Sequence, residues 1–380
     1  MRVVTFVGTR PEVIRLAAVI ARLDGTVDHR LVHTGQNYDY ELNGLLFTDL
    51  GLRPPDVVMS PDTSSLGRTI GDILAGAEKV LTELRPDAVL ILGDTNSCLA
   101  GLMAKRMHIP LFHMEAGNRC FDENVPEETN RRIIDHIADV NLVYTEHARR
   151  NLLAEGIHPR RVYLTGSPMA EVLERYRSAI EDCGVLEQLG LSRGRYIVVS
   201  AHREENVDHP DRLRSVVDTI ESLAADFDVP VVVSAHPRTR KRLKASGLNL
   251  GGRVLLHRPF GFRAYNHLQL QSLCAVSDSG TISEESAILG FPAVTIRSSI
   301  ERPEAMDTGG IVVCGIDATA VTRAVRTVLE QRDRGEVPPQ PAEYQISNTS
   351  QRVVNLLIGV AGLTTEWSGL RSGPSITKMR

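Results

Sequence analysis

The stretch IPLFHMEAGNRCFDENVPEETNR, residues 109–131, decides the fold. Its opening, IPLFHM, is a short apolar run that reads as a strand buried on both faces, as in parallel sheets. Ala116 and Gly117 are small and let the backbone turn, so the strand ends on Glu115. Pro126 then suits a first helical position, and the acid that follows, Glu127, suits the positive end of the helix dipole. Strand, loop and helix in that order form one unit of an α/β sheet, and such sheets place ligands outside the carboxyl ends of their strands. Glu115 and Glu127 are therefore candidates for proton chemistry. Asp94, which closes the run AVLILGD (88–94), joins them by the same logic. The competing reading makes all three acids helix caps and solvated loop residues.

The same unit repeats on either side. RVVTFV (2–7) leads through Gly8-Thr9-Arg10-Pro11-Glu12 into an amphipathic stretch to about Leu23. A strand at 27–33, a helix near 38–50 and a Pro- and Ser-rich loop at 54–64 follow. Ser64 or Ser65 can cap a long helix to about Leu84. Strands are expected at 88–92, 110–114, 140–143 and 162–165, with helices at 96–106, 127–137 and 147–155. A second series begins at Tyr196 with YIVVSAH (196–202) and is echoed by PVVVSAH (230–236). Later strands are expected at 253–256, 273–277, 292–296 and 311–313, with helices at 263–271, 281–289 and 317–331. Residues 332–346 are Pro-rich and read as a linker. A last helix is expected at 348–361, with a polar tail from Ser368. Alternation of this kind predicts βαβ units with right-handed connections. The expected fold is α/β: two Rossmann-like, doubly wound domains facing a cleft, residues 1–175 with 347–380 and residues 176–346.

The 380 residues are 42% hydrophobic and 24% charged, with a formal charge of −4. That balance implies no nucleic acid partner and no membrane surface. No run reaches the length of a membrane span, and no signal peptide opens the chain. The five cysteines, Cys98, Cys120, Cys183, Cys274 and Cys314, are scattered without a CxxC pair, which suits reduced thiols in the cytoplasm. No cluster has metal-ligand spacing, and GxGxxG, the P-loop pattern and GxSxG are all missing, so no metal and no cofactor is expected.

The second series holds the binding signal. In SDSGTISEESAILG (277–290) a buried strand runs straight into a helix, whose free N–H groups and dipole suit a phosphate. Gly280 allows close backbone approach, Ser279 and Thr281 can donate hydroxyls, and Glu284 and Glu285 can accept from ribose. Arg10 can clamp two phosphate oxygens at once. His202 and His236 both fall at strand ends, and Arg302 precedes a short helix. Taken together, the reading is a nucleoside diphosphate held by helix termini and cations, with carboxylates supplying proton transfer.

These motifs resemble the non-hydrolysing UDP-N-acetylglucosamine 2-epimerase family over nearly the whole chain. The resemblance rests on GTRPE (8–12), GDT (93–95), HMEAGNR (113–119), PEETNR (126–131), HRE (202–204), DSGTISEE (278–285) and ERPEA (301–305). HTGQNYDYELN (33–43), GDTNSCLA (93–100) and HREENVD (202–208) are similar to enzymes of surface-polysaccharide sugar pathways, among them UDP-N-acetyl-L-fucosamine synthase. The resemblance implies a glycosyltransferase B-like fold, a last helix that returns to the first domain, and a homodimer. It implies that Asp94, Glu115 and Glu127 serve catalysis, that Arg10, His202 and Ser279 lie near the diphosphate, and that Glu285 meets the ribose. Arg131 and Arg302 fall in family motifs as well. Arg15 stands where many relatives have Lys, which keeps the charge and changes the geometry. The implied reaction eliminates UDP to a glycal and re-adds it after proton delivery to the opposite face. A hydrolysing epimerase and a glycosyltransferase share most of these features.

Overall fold

The computed structural model describes residues 1–35, 46–248 and 250–369. It divides into two compact units, residues 1–172 with 346–380 and residues 173–345.

Unit 1 is built on a seven-stranded sheet of order β3-β2-β1-β4-β5-β6-β7. The strands are β1 Arg2–Val7, β2 Asp28–His33, β3 Val57–Val58, β4 Ala88–Leu92, β5 Leu111–Met114, β6 Val140–Val143 and β7 Val162–Leu164. Every pairing is parallel. All five residues of β4 and all four of β5 are buried, because helices cover both faces of the sheet. On one face Val4, Phe6, Val89 and Ile91 pack with Ile73, Ala77 and Val80 of the helix Leu66–Leu84. Ser65 caps that helix, accepting from the Arg68 N–H.

Unit 2 repeats the plan in six strands: β8 Ile197–Ser200, β9 Val231–Ser234, β10 Val254–His257, β11 Cys274–Ser277, β12 Ala293–Thr295 and β13 Val312–Val313. Their order is β10-β9-β8-β11-β12-β13. In each sheet the winding reverses beside the first strand of its series. The switch points lie between β1 and β4, and between β8 and β11, where doubly wound sheets hold ligands.

Three local expectations change. The 54–64 stretch is not all loop, since Val57 and Val58 add an edge strand beside Val32 and His33. The last helix runs Thr349–Trp367, well past residue 361. Its start is fixed by the Ser350 hydroxyl and N–H, both donating to Glu171, and by Arg22 Nε at 2.8 Å from Ser350 Oγ. The 332–346 stretch is more than a linker: Ala342–Gln345 forms a helical turn, and Tyr344 is buried with its hydroxyl on Glu304. The helix expected near 38–50 falls largely on residues 36–45, outside the described residues. Among the described residues, no helix is long and apolar enough to cross a membrane.

Candidate active site

In unit 1 the candidate acids gather at the carboxyl ends of β4 and β5. Glu115 directly follows β5 and takes a left-handed backbone, φ 65°. A non-glycine residue held there is strained, and such strain concentrates at functional sites. Gly117 is also left-handed, and a Cβ there would come within 2.3 Å of the Ala148 carbonyl oxygen. The double turn brings the Glu115 carboxylate back over β4, 3.8 Å from where a Cβ on Gly93 would sit. Arg15, on the helix Arg10–Asp24, forms an ion pair with Glu115, and Asn118 Nδ2 lies 3.4 Å from its other oxygen.

Asp94 follows Gly93 and is held by a two-pronged contact from Arg131, Nε at 3.0 Å and Nη2 at 2.5 Å. Arg131 and Glu127 both belong to the helix Pro126–Ile137, with Glu127 in its first turn and half-buried. Arg131 also donates to Glu128 at 2.8 Å. Burial alone would raise the Glu128 carboxyl, but hydrogen bonds from Cys120 and the charge of Arg131 hold it below its ordinary value.

Beneath these groups lies a buried network that sequence reasoning missed. His113 places Nδ1 2.9 Å from Asp135 Oδ1 and Nε2 2.9 Å from the Gly93 carbonyl oxygen. Asp135 also accepts from the Gly117 N–H and from Arg119, which in turn grips Glu155 with two nitrogens. The network ties the turn after β4 to the turn after β5. Arg119 stood inside a quoted motif, but nothing local marked Asp135 or Glu155.

Glu12 performs the same service for β1. Its buried carboxylate accepts from Gly8 N–H at 2.6 Å, Thr95 Oγ at 2.5 Å and Ser97 Oγ at 2.9 Å. Burial raises its pKa, against the pull of those hydrogen bonds. Arg10, two residues earlier, is half-buried and forms no hydrogen bond or ion pair among the described residues. Burial lowers its pKa, and the charge of Asp49 opposes that.

In unit 2 the charges are reversed. Asp278, wholly buried after β11, accepts from the backbone N–H groups of His202 and Arg203, both at 2.9 Å, and from Asn206 Nδ2 at 3.0 Å. His202 Nδ1 lies 3.1 Å from the same carboxylate. His236 accepts the Arg238 N–H on Nδ1, and its pKa is lowered by burial and then by the charges of His202 and Arg238.

After β11 the hydroxyls of Ser279 and Thr281 meet at 3.0 Å, and Thr281 donates to Glu285 at 2.9 Å. Gln269 Nε2 donates to the other oxygen of Glu285 at 2.9 Å. Glu284 is not open to a ligand as expected: it is fully buried and paired with Arg302 at 3.1 Å. Arg302, itself only 3% exposed, also donates to the Gly280 carbonyl. Arg297, which the sequence did not single out, is buried as well and grips Glu301 with both terminal nitrogens. A Cβ on Gly280 would meet Arg302 at 3.2 Å and Arg297 at 3.3 Å, so two guanidinium groups lie directly under this loop.

Comparison with known proteins gives the same frame a family. The sequence pattern of the UDP-N-acetylglucosamine 2-epimerase family matches residues 21–358. The chain is similar to the UDP-N-acetylglucosamine 2-epimerase structure from Rickettsia bellii, with TM-score 0.90, 42% identity, and 96% of this chain and 98% of that one covered. It is similar to the Methanocaldococcus jannaschii UDP-GlcNAc 2-epimerase in complex with UDP-GlcNAc and UDP, with TM-score 0.88, 30% identity, and 94% and 100% covered. It is 32% identical to the UDP-2,3-diacetamido-2,3-dideoxy-D-glucuronate 2-epimerase of Pseudomonas aeruginosa, over 87% of this chain and 92% of that one. The chain belongs to the UDP-N-acetylglucosamine 2-epimerase family.

Proposed function

We propose that this member of the family inverts C2 of a UDP-N-acetylhexosamine, UDP-GlcNAc or the UDP-6-deoxy-L-talosamine/L-fucosamine pair, by eliminating UDP to a glycal and adding it back. The observation that carries this is the pair of carboxylates at adjacent strand ends, Asp94 and Glu115, each fixed by its own arginine. The C2 proton of an amino sugar is not next to a carbonyl, so direct removal is too hard. Departure of UDP from C1 builds positive charge on the ring and loosens the C2–H bond. The C2 proton passes to a carboxylate, the C1–O electron pair leaves with UDP, and C1 and C2 share a double bond. Re-addition reverses each transfer, with the proton delivered to the opposite face. Two proton-handling groups are needed, and Asp94, Glu115 and Glu127 supply them. General acid–base help of this kind is worth about 10²–10⁴-fold.

UDP must be held while it is free. Arg10 and the loop 279–281, with Arg297 and Arg302 below it, give the donors and the positive field. Glu285, polarised by Thr281 and Gln269, is the ribose ligand. The reading extends to a cytoplasmic homodimer. Five thiols without a disulfide support the compartment; the family resemblance supports the dimer, which sedimentation would test.

The test is incubation with UDP-GlcNAc in D₂O, following C2 by proton NMR. Deuterium at C2 of an intact UDP-N-acetylmannosamine product is expected. Stoichiometric UDP with deuterated free sugar would make the enzyme a hydrolysing epimerase. Absence of exchange with this substrate and with the 6-deoxy-talo nucleotide sugar would refute epimerisation.

A further inference from the structure

We propose that Asp135 is a positioning residue that, through His113, sets the candidate acids Asp94, Glu115 and Glu127 in one fixed arrangement. This rests on the preceding reading for what those acids do.

Glu127, Arg131 and Asp135 follow one another at intervals of four on the helix Pro126–Ile137. Residues at that spacing share one face of a helix. Arg131 reaches Asp94 after β4. Asp135, wholly buried, reaches the turn after β5: its carboxylate accepts from the Gly117 N–H at 3.1 Å and from Arg119 at 2.7 Å. It also meets His113 Nδ1 at 2.9 Å. His113, on β5 and equally buried, carries the contact across to β4, with Nε2 2.9 Å from the Gly93 carbonyl oxygen. The Gly93 N–H donates in turn to the Met114 carbonyl at 3.0 Å. The peptide before Asp94 and the turn after Glu115 are thus pinned to one helix, and that helix carries Glu127.

The hydrogens follow from the partners. A carbonyl oxygen only accepts, so Nε2 carries hydrogen. The Nδ1 contact then takes one further hydrogen, held between ring and carboxylate, and the pair is neutral wherever along that bond it sits. Arg119 and Glu155 form a second neutral pair beside it. The clamp therefore works by geometry, and it buries no unmatched charge. Glu115 holds a left-handed backbone, φ 65°, of a kind that persists only where the surroundings enforce it. A misplacement of a reacting group by about 1 Å can cost about 10²-fold.

Two measurements decide this. Asp135→Leu nearly keeps the size and removes every polar contact, and kcat should fall about 10–10²-fold with KM and UDP affinity little changed. Asp135→Asn should recover most of that loss, because its oxygen can accept from Gly117 and Arg119 while its NH₂ donates to Nδ1 of the neutral ring. A lower melting temperature in Asp135→Leu, with kcat per UDP-binding molecule unchanged, would make Asp135 merely structural and overturn the proposal. A folded Asp135→Asn that loses about tenfold or more in kcat would overturn it too, whether or not Asp135→Leu folds. The second measurement needs no variant and no turnover. Neutron diffraction from wild-type crystals should show hydrogen on His113 Nε2 and one hydrogen between Nδ1 and Asp135. A bare Nε2 would break the link to Gly93 and overturn the proposal. If wild type catalysed no C2 exchange, the proposed function would fail while the ring hydrogens still judged the clamp.

Discussion

The two units share a winding order and differ in the sign of the charge they present at their strand ends. In unit 1 the strand ends carry carboxylates, Asp94, partly exposed, and Glu115, buried, and the arginines Arg131 and Arg15 hold them. In unit 2 the groups are basic side chains, His202, Arg297 and Arg302, and each lies beside a buried carboxylate, Asp278, Glu301 or Glu284. One architecture therefore yields an acidic half, which we propose moves protons, and a basic half, which we propose holds a diphosphate. Charge pairs of this kind gain little stability, because desolvation offsets attraction. Their return lies in orientation, which is what chemistry at a switch point needs. Arg10 is the exception, a cation in the acidic unit with no acid paired to it among the described residues.

The strongest way to break this contrast is to remove the acids. Glu115→Gln and Glu127→Gln should each lower kcat by about 10²–10⁴-fold while UDP binding and melting temperature stay near wild type. Activity within tenfold of wild type in both would remove the acidic half from the chemistry. Arg10→Ala tests the exception. Loss of a charge-assisted hydrogen bond costs about 1.5–3 kcal/mol, so calorimetry should show UDP affinity falling about 10–10²-fold with the fold intact. Unchanged affinity would return Arg10 to the surface.

The turn that aims Glu115 can be tested by stability. Gly117→Ala puts a Cβ at a left-handed position 2.3 Å from a carbonyl oxygen, so denaturant melts should show a loss of about 1–3 kcal/mol or more. A neutral result would mean the turn is not enforced from below.

The network under that turn should carry a pH signature. Hydrogen bonds from Arg119 first, and its charge with that of His136, hold the Glu155 carboxyl below its ordinary 4.5. A depressed carboxyl adds stability that is full above the unfolded value and is lost as pH falls through the folded one. The stability gap between wild type and Glu155→Gln should therefore be widest near neutrality and close below pH 4.5. A gap that stays constant to pH 3 would contradict it. The smallest effect is the control away from both strand ends: Ser65→Ala should cost about 1 kcal/mol through its lost helix cap, with kcat unchanged.

Much of this was legible in the chain because a strand end is a local event. Apolar runs closed by Gly93-Asp94, Glu115 or Ser277-Asp278 announce where a parallel sheet hands over to its loops, and alternation of such runs fixes a doubly wound α/β fold. The family motifs sit at those same points. A local pattern is less secure where a segment is short, as at Val57–Val58, or where distant side chains fix a helix terminus, as Glu171 and Arg22 do at the start of the Thr349–Trp367 helix.

The sequence by itself determined the order of strands and helices, and which charged residues lie at the ends of the strands. The tertiary structure alone decided which of those charges pair with one another. Arg15 and Glu115 are 100 residues apart, Arg203 and Glu301 are 98, and His202 and Asp278 are 76. No local propensity reports a pairing over such separations. It is set by the register of neighbouring strands, and by the cost of leaving a charge buried without its partner.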